Sequence, residues 1–409
     1  MSKSNSISEY IRPLFTHIDS TDYADLSHVL SQTAGYNRSQ EANMLGAETD
    51  SEAIRTFLQD YRHIKLTYRS YLKEIERLVL WCIHVPNLTV SNLKREHLIA
   101  YRDFLADPQP EKLWCGARQP RVLNTGEPNP LWRPFSSKLS TPSIRKVVSI
   151  LDSFFNYLVI NNYLAGNPMA VDKRRKGKKS NSTDRWLERD EIIILLEALN
   201  DHRNDDNSFE IARARYIILT LFYTGLRLAE LTNHTMGHFT LLENEWFLNV
   251  VGKGEKPRKI VVVDEYLEVL ADYRKHIGMP SILPEFNEAT PLVPAQDKKS
   301  AITPSRVWQI VKWAAELGAK KFEFLAENAL SDQEEEKLRY LHKASKLRKA
   351  SPHWFRHSYG TYLVKSGCAI EKIKELMGHS DISTTTIYLH TAKIDLHTSA
   401  RGLSLNLLD

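Results

Sequence analysis

A cationic run divides this sequence between two long stretches of helical pattern. Residues 173–179 read KRRKGKK, and SNSTD follows closely. Runs of Lys, Arg, Gly and Ser between two periodic stretches are typical of linkers. A chain of 409 residues is also longer than one hydrophobic core usually organises. We therefore expect two domains, joined by a basic linker at 171–184.

The segment before the linker carries helical patterns. In TYRSYLKEIERLVLWC, apolar residues recur at spacings of three and four, which predicts an amphipathic helix. A second helix, NLKREHLIAYRDFLA, ends before Pro108, and a third opens at Thr141, an N-cap followed by proline. We predict a small all-helical domain over 51–170. Residues 1–50 have weak periodicity, and we expect them to form an extension of unknown role.

The segment after the linker combines helices with one β-hairpin. EWFLNVVGKGEKPRKIVVV predicts strand, tight turn and strand, because both arms alternate and two glycines flank Lys253. Helical patterns surround the hairpin, and the highly charged residues 320–349 indicate a solvent-facing helical insertion. We predict a mainly α-helical domain with a small antiparallel β-hairpin or sheet over 185–395. A short tail follows at 396–409.

The composition argues against several classes of protein. Cys82, Cys115 and Cys368 are scattered and odd in number, which favours neither a disulfide framework nor a thiolate zinc site. No apolar run approaches the ~18 residues that a membrane span needs. The first residues, MSKSNSISEY, lack the layout of a secretion signal. We therefore expect a cytoplasmic protein without a membrane partner.

The charge is distributed unevenly and favours a nucleic-acid partner. The net charge is +5, but residues 1–50 hold seven acidic and three basic residues, so the remainder carries +9. A basic remainder is suited to double-stranded DNA. A solvated tether is the alternative for the linker, whose cations we expect to cross DNA phosphates: Lys173, Arg174, Arg175, Lys176, Lys178 and Lys179.

A long loop in the first domain is a second candidate for DNA contact. Residues 108–140 contain six prolines and two tryptophans, and a loop of this length in a compact domain is usually functional or disordered. Cations interleaved with aromatic rings suit a phosphate backbone and exposed bases. A solvated loop anchored by its tryptophans is the alternative. The expected DNA-binding residues are Arg118, Arg121 and Arg133.

The residues near the end of the chain suggest phosphoryl transfer. His353 and Arg356 are three apart, so they share one face of a helix, and His379 and Tyr388 follow. A phenol attacks a phosphodiester only if its proton is accepted and the charge that develops is stabilised. Guanidinium groups grip phosphate oxygens with two parallel hydrogen bonds. We expect Tyr388 to be the nucleophile.

Two further groups complete the expected chemistry. Arg227, in YTGLRLAEL, is the best candidate for the second arginine, and Glu230 is placed to orient it. Lys253, at the hairpin tip, suits a general acid that protonates the leaving oxygen. Each has a simpler interpretation, because an isolated arginine is more often in a structural ion pair and a turn lysine is usually solvated. The catalytic interpretation therefore depends on all of these residues occurring together and in this order.

A metal site is the other chemistry that the histidines permit. His353 and His357 have the i, i+4 spacing of helical metal ligands. No HExxH pattern or nearby carboxylate cluster accompanies them. We expect neither a metal nor any other cofactor.

These motifs resemble those of the tyrosine recombinase (phage integrase) family. TGLRLAEL is similar to the first arginine box, with Arg227 catalytic and Glu230 supporting, and VVGKGEKPRKIVV to the hairpin that carries the catalytic lysine, here Lys253. HWFRHSYGTYL resembles the HxxR box, LMGHS the next histidine position, and TTTIYLH the segment with the nucleophile. The catalytic positions in this sequence are Arg227, Lys253, His353, Arg356, His379 and Tyr388.

The resemblance implies an architecture and an activity. It implies a SAM-like helical core-binding domain, a tyrosine recombinase catalytic domain, and strand exchange through a 3′-phosphotyrosine. It also implies a homotetramer on two DNA sites and a C-terminal segment that docks into a neighbour, although a self-packed tail is an alternative. The expected role is in a mobile element or in replicon resolution. The alternatives are a type IB topoisomerase and a catalytically silent DNA-binding architectural protein.

Overall fold

The computed structural model describes residues 11–15, 35–170, 185–204, 206–252, 256–330, 333–379 and 381–391. The chain divides into two compact units, with the boundary after Lys179. The linker cations at 173–179, Lys253 at the hairpin tip and the tail at 396–409 lie outside the described residues. None of the helices in the described ranges is long and apolar enough to cross a membrane.

The first unit is built from helices. They are α1 (Asp50–Asp60), α2 (Lys65–His84), α3 (Arg95–Ala106), the short α4 (Glu111–Trp114) and α5 (Thr141–Ile160). A capping box starts α1, because Thr49 accepts from the backbone N–H of Glu52 and Glu52 accepts in return from that of Thr49. Proline lies in the first turn of α5, where no backbone N–H is needed. The inward faces of α1, α2, α3 and α5 form one core.

Part of the expected N-terminal extension belongs to this core. Ile11, Leu14 and Phe15 are buried in it. The carboxylate of Glu76, on α2, accepts hydrogen bonds from the backbone N–H groups of Leu14 and Phe15. Residues 11–15 therefore pack as part of the helical unit.

The long proline-rich loop is anchored by its tryptophans. Trp114 and Trp132 are buried, so they are not available for stacking on exposed bases. Arg121 forms an ion pair with the buried Glu76, with 2.6 Å between Nη2 and Oε2. Arg133 donates to backbone carbonyls of the same loop region. Of the three expected DNA-binding arginines, Arg121 and Arg133 therefore make contacts that hold the loop in place, whereas Arg118 is exposed.

The second unit has helices around a small sheet. Its elements are α6 (Arg189–Asp201), α7 (Ser208–Thr224), α8 (Leu228–Asn233), β1 (Phe239–Leu242), β2 (Glu245–Val251), β3 (Pro257–Val262), α9 (Asp264–Ile277), α10 (Pro304–Glu327), α11 (Glu334–Lys349), α12 (Pro352–Lys365), α13 (Ile370–Met377) and α14 (Thr386–Thr391). The sheet is antiparallel with the order β1-β2-β3. This confirms the predicted class, mainly α with a small antiparallel sheet.

The expected hairpin is present, and a third strand extends it. Leu248 pairs with Ile260 across β2 and β3. Burial alternates along β3, so that Arg258, Ile260 and Val262 face inward. The sequence analysis did not predict β1, which joins β2 through a two-residue turn.

The charged insertion packs on one side and is exposed on the other. The helix α10 continues to Glu327, within the segment expected to face solvent, because Ala319, Phe322 and Ala326 extend its buried face. On α11, Ala344 and Leu347 are buried. The remaining positions of α11 are mostly exposed and carry its charges.

Candidate active site

Glu230 is the hub of a cluster of charged side chains. Gly225 ends α7 in the left-handed conformation, with φ of 59°, and Arg227 is then the N-cap of α8. The guanidinium of Arg227 donates from Nη1 to Glu230 Oε1 over 2.8 Å, and its backbone N–H donates to Oε2 over 2.7 Å. The expected orienting role of Glu230 thus has a geometric basis.

A second arginine, which the sequence analysis missed, completes this cluster. Arg258 donates from Nη1 and Nη2 to the two carboxylate oxygens of Glu230, over 2.9 and 2.8 Å. Its Nε donates to the carbonyl of Leu376, at the end of α13. The sequence did contain one indication that Arg258 is buried. It alternates with the apolar residues Ile260 and Val262 on the inward face of β3.

These contacts keep Glu230 ionised. Burial alone would raise the pKa of Glu230, but the hydrogen bonds from Arg258 and Arg227 outweigh it and lower the pKa to about 2. The carboxylate is therefore a permanent negative charge at neutral pH. It holds two guanidinium groups in fixed directions.

Arg356 lies beside this cluster, on α12. Its guanidinium is buried and donates to the backbone carbonyls of Gly225 and Met377. Nη1 lies 4.0 Å from Glu230 Oε2. Burial lowers the pKa of Arg356 to about 10, and the nearby charge of Arg227 acts in the same direction. The side chain remains charged at neutral pH.

Tyr388 lies on α14 and is only 3% exposed. Its hydroxyl is 3.2 Å from His357 Nδ1, and its ring stacks on that of His379 with 6.1 Å between centroids. Burial raises the pKa of Tyr388 to about 12, although the charges of Arg356 and Arg227 oppose that rise. Both guanidinium groups therefore act electrostatically on the phenol.

The close approach of α12 to Tyr388 requires glycine at position 360. A Cβ atom added to Gly360 would lie 2.8 Å from Tyr388 Cζ and 2.9 Å from Met377 Sδ. Such distances are shorter than real Cβ atoms tolerate. The sequence HSYGTY thus places a helical glycine where the tyrosine ring crosses the helix.

Three histidines surround the phenol and the arginines. Burial and, to a lesser extent, nearby charges such as that of Arg356 lower the pKa of His357 and of His379 to about 4 each. The pKa of His353 is lowered by partial burial and then by Arg356 and Arg227, although the residue is exposed at the surface. The rings of His357 and His379 are therefore neutral at pH 7, and each has one nitrogen that can accept a hydrogen bond.

Another histidine joins α8 to the base of the hairpin. The backbone N–H of Val251, the last residue of β2, donates to His234 Nε2 over 3.0 Å. His234 Nδ1 therefore carries the proton and donates to the carbonyl of Glu230 over 2.8 Å. The next residue, Gly252, approaches the cluster so closely that an added Cβ would lie 3.3 Å from Glu230 Oε1. Lys253 follows directly and lies outside the described residues.

An open cleft of about 690 Å³ borders the cluster. Its walls include Arg227, Arg258, Lys374 and His379. Glu371 and Glu375 lie on the α13 side. Cationic side chains and one imidazole thus face a space that is open to solvent.

The described part of the second unit brings most of the predicted site residues together. Arg227, Glu230, His353, Arg356, His379 and Tyr388 lie within one electrostatically coupled cluster. His357, considered above only as half of a metal pair, contacts the phenol instead. Among the described residues, no group of three or more His, Cys, Asp or Glu side chains is arranged to hold a metal ion.

Two sequence comparisons identify relatives of this chain. Residues 185–394, just over half of the chain, match the model of the phage integrase family. A tyrosine recombinase of Thermosipho africanus is 29% identical over 251 residues, which cover 61% of this chain and 72% of that protein. Tyrosine recombinase XerD of Staphylococcus aureus (strain Mu50) is 27% identical over 255 residues, covering 62% and 73% respectively.

Solved structures share the fold at lower sequence identity. The XerH site-specific recombinase, in a post-cleavage complex with palindromic difH substrate, matches with a TM-score of 0.55 at 17% identity. That match covers 96% of this chain and 98% of XerH. The Tn1549 transposon integrase, in complex with transposon right end DNA, matches with a TM-score of 0.53 at 15% identity, covering 85% and 99%. The family match and the shared fold lead to one conclusion: this chain belongs to the phage integrase family.

Proposed function

We propose that this chain is a site-specific tyrosine recombinase and that Tyr388 is its nucleophile. The observation that carries the proposal is the position of the Tyr388 hydroxyl, 3.2 Å from a neutral imidazole and within the electrostatic reach of Arg227 and Arg356. A phenol needs a proton acceptor and a charged environment of this kind to attack a phosphodiester. The substrate is double-stranded DNA.

The reaction consists of two balanced transesterifications. The oxygen of Tyr388 forms a bond to phosphorus while the bond to the 5′ oxygen breaks, which leaves a 3′-phosphotyrosine. The phenolic proton passes to His357, and Lys253 protonates the leaving 5′ oxygen. A 5′-hydroxyl from a partner strand then reverses the step. The ester bond is conserved throughout, so the reaction needs no ATP.

The two arginines stabilise the charge on the phosphate. Arg227 keeps one nitrogen on Glu230, while its other terminal nitrogen donates to the carbonyl of Gly378 at the edge of the cleft. Arg356 donates to two backbone carbonyls. A phosphate can replace carbonyl acceptors of this kind with charged ones, which make stronger hydrogen bonds. Because Tyr388 is buried, α14 has to shift when DNA enters.

The proposed assembly is a homotetramer on two DNA sites. The structural relatives are a site-specific recombinase bound to difH substrate and a transposon integrase bound to transposon DNA, which supports a role in replicon resolution or in a mobile element. The C-terminal tail at 396–409 is proposed to dock into a neighbouring subunit. The cations at 173–179 are proposed to cross DNA phosphates, so neutralising them should flatten the salt dependence of binding.

Two other functions are less well supported. A type IB topoisomerase would rejoin the strand that it cut, whereas a recombinase transfers it to a second duplex. The family relatives are tyrosine recombinases, which favours strand transfer. A catalytically silent architectural protein would not need the charged cluster around Tyr388.

Replacing the nucleophile tests the proposal. DNA covalently attached to the wild-type protein is first mapped to define the site, and a nicked suicide substrate is built from it. Tyr388→Phe should bind this substrate with unchanged affinity and form no covalent adduct. Tyr340→Phe, on α11, is the control and should form adduct at the wild-type rate. An adduct from Tyr388→Phe at that rate would refute the assignment.

A further inference from the structure

Arg213 is a buried cation that forms no ion pair with any of the described residues. It lies on α7, and its side chain is among the largest fully buried ones, at 2% exposure. Its Nε atom has no hydrogen-bond partner, and among the described residues no ion pair or hydrogen bond reaches its guanidinium. Phe209 contacts it through a cation–π interaction, with Cζ 4.8 Å from the ring centroid. Such an interaction replaces only part of the lost hydration.

Arg213 lines a pocket of about 420 Å³ between α7 and the start of α10. The other side chains at this pocket include Arg306, Gln309, His202 and Trp313. Arg306 is exposed, and its Nη1 donates to Gln309 Oε1 over 3.3 Å. Burial lowers the pKa of Arg213, and the charge of Arg306 acts in the same direction. Two cations therefore face one space.

The acidic residue at the pocket compensates only part of this charge, because Glu210 opposes the lowering of the Arg213 pKa from a distance. Glu210 lines the wall, three residues before Arg213, but its carboxylate accepts from Gln296 Nε2 over 3.2 Å and forms no ion pair within the described residues. A buried charge without a partner is costly unless another group supplies the opposite charge. The arrangement is therefore incomplete without an anion.

We propose that this pocket binds a phosphate group of the DNA backbone, at a second site separate from the cluster around Glu230. The inference rests on the proposed function for the identity of the anion. Guanidinium groups with free donors are suited to phosphate oxygens, which accept bidentate hydrogen bonds.

The spacing of the two sites fits one duplex. Arg213 lies on α7, and Gly225 ends that helix 12 positions later. At a rise of 1.5 Å per residue, the pocket lies roughly 18 Å along the helix from the catalytic cluster. Successive phosphates of one strand are separated by about 3.4 Å along the duplex axis, and the major groove is about 12 Å wide. A duplex that places a phosphate at the catalytic cluster can therefore place another at the pocket.

Binding to a fluorescently labelled DNA duplex of mixed sequence, measured over a range of NaCl concentrations, tests the proposal. The full-length variant Arg213→Met removes the charge and nearly preserves the volume. Its matched control is Arg215→Met, on the same helix but outside the pocket. We expect Arg213→Met to weaken binding about ten-fold to a hundred-fold and to reduce the salt slope by about one. Arg215→Met should change both much less.

Thermal unfolding separates a ligand site from a structural role. Without DNA, Arg213→Met should melt at the same temperature as wild type or higher, because it removes an uncompensated buried charge. Should this variant fail to fold, Arg306→Met at the exposed rim should still lower the salt slope. Wild-type DNA affinity and salt slope in a folded Arg213→Met variant would overturn the proposal.

A last comparison identifies the source of the anion. If inorganic phosphate stabilises the wild type but not Arg213→Met, while both bind DNA equally, the site takes a free anion and the DNA assignment is wrong. The assay measures binding and not cleavage. A wild-type protein that forms no covalent adduct would therefore refute the proposed function, while the DNA contact at Arg213 would still be supported by the salt slope.

Discussion

Arg258 and Glu230 form a two-pronged ion pair in which both side chains are 5% exposed. The pair joins β3 to α8 and leaves Glu230 Oε1 to be shared with Arg227. The direction of the Arg227 guanidinium therefore depends on a strand that follows it by some thirty residues in sequence. This coupling makes the sheet part of the site.

Removing one partner of this pair should be strongly destabilising. Arg258→Met would remove the two-pronged partner of the buried Glu230 carboxylate and leave it with Arg227 and, at 4.0 Å, Arg356. We expect the free energy of unfolding to fall by about 3–5 kcal/mol. Lys259→Met, on the outward side of the same strand, is the control and should change stability by less than about 1 kcal/mol. Urea unfolding measures both, and equal effects would show that the pair is not a structural link.

The same variant should also lose activity for a separate reason. Without Arg258, the carboxylate of Glu230 loses two of the hydrogen bonds that hold it, so the direction of the Arg227 guanidinium is less firmly fixed. Adduct formation under conditions where Arg258→Met remains folded should therefore be slower than for Lys259→Met. Equal rates would confine Arg258 to a structural role.

Two glycines that end helices provide a second matched comparison. Gly225 and Gly278 both have positive φ, at 59° and 80°. A Cβ at Gly225 would lie 2.3 Å from Tyr359 Cδ1, whereas a Cβ at Gly278 meets no atom within 4 Å. We expect Gly278→Ala to cost about 1–2 kcal/mol for the left-handed backbone. Gly225→Ala should cost a further 1–3 kcal/mol, approximately, for the steric overlap.

Chemical denaturation of the two glycine variants gives the difference directly. Gly225→Ala should also slow adduct formation, because the carbonyl of Gly225 accepts a hydrogen bond from Arg356. Gly278→Ala should leave the rate unchanged. If the two substitutions destabilise the protein equally, Tyr359 moves aside freely and the contact carries no energy.

Sequence periodicity was sufficient to predict those elements whose apolar pattern matches their burial in the folded protein. The helix α2 and the hairpin strands β2 and β3 were predicted because their apolar residues repeat with the period of the element. The strand β1 was missed because FTLL is short and its turn, Glu243 and Asn244, is not a strong sequence signal. Both turn residues nevertheless have positive φ, as a tight two-residue hairpin requires.

The sequence analysis missed other features of the site for a different reason. Arg258 was not predicted because a charged residue in a strand usually faces solvent, and its partner Glu230 is remote in sequence. His357 was read as a potential metal ligand because the sequence cannot show that Tyr388 crosses α12 at Gly360. The proline-rich loop was expected to combine cations with aromatic rings for DNA contact, but the sequence could not show that Trp114 is buried in the core. Tertiary contacts decided all three.

Stability should fall as the pH decreases below neutral, because two histidines near Tyr388 are buried in the neutral form. Burial lowers the pKa of His357 and His379 to about 4, whereas an unfolded histidine has a pKa near 6.5. Between these values the unfolded chain binds more protons, so the free energy of unfolding decreases as the pH falls from about 6.5 to about 4. Each histidine contributes at most about 1.4 kcal/mol per pH unit in that window.

Urea unfolding at pH 7 and pH 5 measures this dependence. His357→Leu should flatten it, and so should His379→Leu, whereas His342→Leu on the exposed side of α11 is the control. The prediction is wrong if neither His357→Leu nor His379→Leu changes the difference in the free energy of unfolding between pH 7 and pH 5. That result would mean that other groups cause the acid sensitivity.

His234 should position the catalytic hairpin without contacting DNA. It accepts from the backbone N–H of Val251 and donates to the carbonyl of Glu230, so it ties the end of β2 to α8. His234→Leu leaves both backbone groups without this partner, and we expect a stability loss of about 1–3 kcal/mol. Because Gly252 then shifts relative to Glu230, adduct formation should slow by about ten-fold or more in the folded protein.

A second substitution at this position separates positioning from packing. The side chain of His234→Gln retains one donor and one acceptor, so it should recover part of the rate, whereas His234→Leu supplies only volume. DNA affinity should be the same for both variants, because the imidazole is buried behind the cluster. Adduct rates that follow stability alone, with Leu and Gln alike once both are folded, would show that His234 fills space and does not position the hairpin.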